Sequence, residues 1–178
     1  EELAFLWDSG ELTVLPPVPP NGIDSNPRAI NATGQVTGRG HIPLPDSPQL
    51  SYSHAYAADV ESAENLGVLP GFDESTAWSI HDNGLSVGQS FLPSNNGPGC
   101  IWHHGAIFDA NDLLINKTDF FIKGFRDIRS DGALLAYALD EKNDSVGAIL
   151  TPVAPPSADI TGDCEVNTFD LLALLENW

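Results

Sequence analysis

The chain has 178 residues and carries 25 acidic side chains against 7 basic ones, a formal net charge of −18. That balance argues against nucleic acid and anionic membrane surfaces as partners and favours cations. With 42% hydrophobic and 18% charged residues there is material for a packed core rather than a disordered chain, and no apolar run approaches the ~18 residues of a membrane span.

In chain order, residues 3–7 and 11–15 read as two short strands around the turn Asp8-Ser-Gly10. A Pro-rich passage, Leu15-Pro-Pro-Val-Pro-Pro20, follows as a loop. The segment from Arg28 to Gly38 then alternates apolar and polar residues on either side of Gly34, the pattern of two strands joined by a tight turn. The same order recurs. Residues 53–57, 64–69 and 78–88 repeat it around Gly84, and residues 100–102, 106–108 and 126–136 repeat it around Gly132, the turn glycines lying 50 and 48 residues apart. Segments 41–48 and 92–98, both Pro-rich, read as loops between units. Residues 145–153 read as a final strand.

A unit of this length cannot bury a sheet by itself, so neighbouring units must stack. The expected fold is all-β: three propeller-blade-like repeats of about 48–50 residues, spanning roughly 1–50, 51–97 and 98–153, with an array that three copies do not close. Open arrays leave strand edges that recruit further strands. Self-association, head to tail into a fibre, is the physical expectation.

These repeats resemble the bacterial extracellular group named for a His-Ala-Phe triplet. Ala4-Phe-Leu-Trp7 with Ala29-Ile-Asn-Ala-Thr-Gly-Gln-Val-Thr-Gly38 carries the likeness best. His54-Ala-Tyr56 with Leu66-Gly-Val-Leu69 is a second copy, and Trp102, Gly105, Ile128 and Gly132 mark a degenerate third. The resemblance implies a fold and no catalytic residues. The absence of any Met, position 1 included, fits a processed start and a secreted or cell-surface product.

Beyond a Pro-rich linker at 154–158, residues 159–178 read as a calcium loop and helix. Asp159, Thr161, Asp163, the carbonyl of Glu165, Asn167 and Asp170 occupy positions 1, 3, 5, 7, 9 and 12 of an EF-hand-type loop, all of them oxygen donors suited to Ca2+. Leu171, Leu174, Leu175 and Trp178 then follow helical spacing. The segment resembles one half of a type I dockerin, with Cys164 where a glycine is usual and only one of the two expected repeats present. That resemblance implies cohesin as a possible partner.

Cys100 and Cys164 are the two cysteines and either form a disulfide or remain free thiols. Sequons at Asn31, Asn116 and Asn143 are glycosylation candidates. No nucleophile elbow, phosphate loop or Cys-x-x-Cys pair is present, so no catalytic residue is assigned. His103-His104, His41, His54 and His81 read as turn or strand histidines, and Asp131, Asp140, Glu141 and Asp144 as turn carboxylates. Trp7, Trp78 and Trp102 read as core more readily than as a sugar platform. The function expected is structural or adhesive, without enzymatic activity. The rivals are a dockerin-like adaptor on a cohesin scaffold and a propeller that binds or cleaves polysaccharide.

Overall fold

The computed structural model describes residues 3–115 and 119–153. Over these the chain is all-β, with four antiparallel sheets and no helix among the described residues. Sheet A pairs β1 (Phe5–Asp8) with β2 (Glu11–Val14). Sheet B is the meander β3 (Asn26–Ile30), β4 (Val36–Leu44), β5 (Ser47–Ala58) and β6 (Ala63–Gly67). Sheet C repeats it as β7 (Glu74–Ile80), β8 (Ser86–Leu92), β9 (Asn95–His103) and β10 (Ala106–Asp109). Sheet D holds β11 (Phe121–Ile128), β12 (Leu134–Leu139) and β13 (Ser145–Leu150). None of the sheets closes on itself or on another.

Strands lie in the segments where alternation predicts them, but the sheets straddle the expected units. Sheet B takes β3 and β4 from the first unit and β5 and β6 from the second; sheet C does the same one unit later. Each unit is thereby tied by backbone hydrogen bonds to the next. A segment of that length cannot detach without breaking sheet B or sheet C.

Contacts between sheets run through the first strand of sheets C and D: β7 lies against β3, β4 and β5, and β11 against β7, β8 and β9. Apolar clusters fill each gap. Ala4, Leu15 and Val36 lie between sheets A and B, and Ala55, Leu69, Ala77, Cys100 and Trp102 between B and C. Val87, Ile122, Phe125, Ala136 and Ala138 lie between C and D. Within sheets B and C glycine admits the bulged first strand: a Cβ on Gly38 would overlap the Asn26 carbonyl oxygen, and one on Gly88 the Thr76 carbonyl oxygen.

Two expectations are corrected. Segments 41–48 and 92–98 are not loops but the ends of long hairpins, β4–β5 and β8–β9. Proline is tolerated there because the ladder is one-sided: β3 pairs with β4 only as far as Asn26↔Arg39, so Pro43, opposite Ser51, owes no hydrogen bond to β3. The linker at 154–158 and the whole of 159–178 lie outside the described residues. No described helix is long and apolar enough to cross a membrane.

Candidate functional site

In the turns after β3, β7 and β11, residues 31–35, 81–85 and 129–133 close with the same two backbone bonds, Asn31 N to Gln35 O at 2.9 Å being the first example. Gly34, Gly84 and Gly132 sit at φ 83, 85 and 82°, where a Cβ would be strained. A fourth turn of this kind, after β12, has Asn143 at φ 62° in the glycine position. The turns then touch one another. Asn31 Nδ2 donates to His81 O at 3.1 Å, Ala32 N to Asp82 Oδ1 at 2.8 Å, and His81 Nε2 lies 3.2 Å from Ser130 O.

Between sheets B and C this row borders a cleft of about 660 Å3. Thr33, Gln35, Asp82 and Asn83 line it from the turns, Asp59, Glu64 and Asn65 from the outer part of sheet B, and His103 and His104 from the β9–β10 hairpin. The two imidazoles are in contact, with ring centres 3.9 Å apart. Burial, and after it the neighbouring His104, hold His103 below the ordinary histidine range. Its Nε2 is buried without a hydrogen-bond partner, as is Nε1 of Trp102. Asp59 accepts from Glu61 N and Ser62 N at 2.9 and 2.8 Å, which, burial opposing weakly, lowers its pKa.

The third feature is the pair of array ends. In sheet A, Leu6 faces the A–B core while Phe5, Trp7, Leu12 and Val14 share the opposite face, Phe5 and Trp7 being 63% and 64% exposed. In sheet D, Leu134 and Leu150 pack toward sheet C, and the cross-strand pair Leu135–Ile149 is left outward, Ile149 at 68%. Both ends of the row are therefore apolar and uncovered among the described residues.

The expected site residues separate into distinct environments. Trp102 is core and Trp7 is an end-face residue, so they are not one platform with Trp78. His41 is paired with Asp24 at 2.8 Å, and His54 Nδ1 lies 3.2 Å from Asn65 Oδ1. Asp131 accepts from Arg129 and from Ala133 N, and Asp140 from Lys142 N and Asp144 N. These carboxylates close turns, as their positions suggest. Glu141 and Asp144 lie exposed in the same turn. No cluster of three metal-binding side chains occurs among the described residues.

Of the sequons, Asn31 is 9% exposed with its amide engaged by Gln35 and His81, while Asn143 is exposed. Asn116 lies outside the described residues, as do the calcium ligands Asp159, Thr161, Asp163, Glu165, Asn167 and Asp170. Cys100 is buried, its thiol 3.2 Å from Ser90 Oγ and pushed up to about 12 chiefly by burial. The cysteine expected opposite it, Cys164, is also outside the described residues.

One constellation escaped the sequence reading. Arg28, Trp78 and Arg126 occupy equivalent repeat positions and converge in space, which their alignment around the turn glycines could have signalled. No family model, no curated protein and no solved structure matches this chain.

Proposed function

We propose that the chain is a secreted or cell-surface β-repeat protein of structural or adhesive role, whose blade-like sheets associate end to end with those of other copies. The observation that carries this reading is the pair of apolar ends, uncovered among the described residues. Sheets B and C each cover one neighbour on either side, whereas sheet A presents Phe5, Trp7, Leu12 and Val14, and sheet D presents Leu135 and Ile149, to solvent. Two different faces meeting head to tail form a heterologous contact, which propagates into filaments unless its rotation closes. The recurring strand order and the offset between sequence units and sheets support the blade-like character.

Light scattering across a concentration series tests it. The expected wild-type mass grows with concentration, while Trp7→Lys with Phe5→Lys blocks one end and Leu135→Lys with Ile149→Lys blocks the other. Each blocked form stays monomeric alone, and a mixture of the two stops at dimers. A wild-type chain that is monomeric throughout overturns the proposal. The acidic segment at 159–170 is proposed as a Ca2+ site that stabilises this C-terminal region; calorimetric titration of Ca2+ into the full chain and into Asp163→Ala checks it, equal heats in both counting against it.

The cleft favours a second reading, polysaccharide binding, because it gathers His103, His104, Asp59, Glu64 and Asp82. Its test is retention on immobilised glycans, with loss on His104→Ala the supporting result.

A further inference from the structure

An acidic chain has few cations to place, and this one concentrates three of its seven on one stripe. The stripe consists of two rows of equivalent positions. The first row is Arg28, Trp78 and Arg126, each the extra residue of a β-bulge in the first strand of its sheet: the ladder slips between Pro27 and Ala29, between Ala77 and Ser79, and between Phe125 and Asp127. Bulges re-aim a side chain out of the alternation and recur beside functional sites. The second row is Arg39, Gln89 and Tyr137, each following the small residue Gly38, Gly88 or Ala136 that lies opposite the bulge.

The rows touch. Arg28 lies 4.6 Å and Arg126 4.8 Å from the centre of the Trp78 ring, and Arg126 lies 4.6 Å from that of Tyr137. Tyr137 in turn hydrogen-bonds Gln89 Oε1. What the stripe lacks, among the described residues, is a carboxylate. Neither Arg28, Arg39 nor Arg126 is ion-paired with a carboxylate among the described residues, whereas Arg129, on the exposed turn, is paired with Asp131. Nε of Arg39 and Nε1 of Trp78 are buried with no hydrogen-bond partner. Burial, and after it the charge of Arg39, lower the pKa of Arg28: two guanidiniums are held together with no anion between them.

Arg28 and Arg126 are exposed and open to an anion, while the buried Nε of Arg39 and Nε1 of Trp78 are donors that an acceptor would satisfy. Guanidiniums stacked on aromatic rings keep their N–H edges free, in the fixed fork that takes a planar carboxylate bidentately. The strongly negative remainder of the protein repels extended polyanions, so the ligand is small.

We propose that the Arg28–Trp78–Arg126 stripe, with Arg39, is a binding site for a small carboxylate-bearing ligand. The site is separate from both array ends and does not depend on self-association. It is tested by calorimetric titration of the full chain with galacturonate, acetate and galactose at low ionic strength. Binding of galacturonate and acetate in competition identifies the carboxylate alone as the determinant; binding of galacturonate without acetate identifies an acidic sugar. Either result weakens by at least about tenfold in Arg28→Gln and Arg126→Gln and is unchanged in Arg129→Gln. Because a glutamine variant can fail to fold, phenylglyoxal labelling of the wild-type chain is read in parallel: galacturonate protects Arg28 and Arg126 and leaves Arg129 reactive. Absence of binding to either acid, equal binding of galactose, or lack of protection at Arg28 and Arg126 overturns the proposal.

Discussion

Trp7 and Trp102 stand at the same place in the repeat, at the end of the strand that enters a two-residue turn. Their hairpins are alike: Ser9 and Gly10 take φ 48 and 94°, His104 and Gly105 take φ 50 and 76°. Yet Trp7 is 64% exposed and Trp102 2%. Trp102 has sheet B beside it, with Ala55 and Leu69 against it in one cluster, whereas the corresponding face of sheet A has no sheet beyond it among the described residues. In a stacked array the value of an apolar side chain is thus set by its neighbour, not by its own strand.

Truncating the two indoles is expected to separate the interior sheet from the end sheet most strongly. Trp102→Ala is expected to cost about 3–5 kcal/mol through lost burial and the cavity left behind, while Trp7→Ala stays within about 0.5 kcal/mol for the monomer. Urea unfolding followed by circular dichroism measures both; similar losses would remove the distinction between interior and end sheets.

Gly88→Ala drives a methyl group into the Thr76 carbonyl on the adjacent strand of sheet C, with a loss of about 1–3 kcal/mol expected from overpacking. Gly147→Ala, on the last strand with open space around it, is expected to be neutral or slightly stabilising by about 0.5 kcal/mol. Melting temperatures of the two variants provide the check.

Titration of the interior gives a smaller, pH-dependent effect. The Cys100 thiol, with an ordinary value of 9.0, is raised to about 12 by burial, and Tyr56, ordinarily 10.0, is raised to about 12 for the same leading reason. Both groups ionise more readily when unfolded. Their contribution is whole below about pH 9 and declines as the pH rises toward about 12. Denaturation midpoints between pH 8 and 11 should fall in the wild type and fall less steeply in Cys100→Ala. A flat profile, or identical slopes in the two proteins, would contradict the burial of this thiol.

The smallest effect concerns the turns. Gly132→Ala at φ 82° is expected to cost about 1 kcal/mol, whereas Asn143→Gly at φ 62° gains or loses only a few tenths. Chemical denaturation resolves the difference.

Much of this architecture is legible in the residues. Gly34, Gly84 and Gly132 announce three of the four matching turns because only glycine takes that backbone region without strain. The fourth, with Asn143, is written in a less recognisable residue. Alternation locates β1, β2 and most later strands. It does not reveal that β4 and β5 run through Pro43 and past the expected loop, because a proline disqualifies a strand only when its missing N–H has a partner to lose. The candidate sites were less legible still. Arg28, Trp78 and Arg126 align in the sequence, but their convergence depends on three bulges that no residue type marks.

What the sequence determined alone is therefore local: the turns, the strand periods and the acidic balance. These follow from backbone sterics and charge, which act within a few residues or over the whole chain without regard to fold. Only the tertiary structure decided that sheets straddle the units, that Trp102 is buried while Trp7 is not, and that the arginines meet on one tryptophan. Those outcomes rest on which sheet lies next to which, and no single strand carries that information.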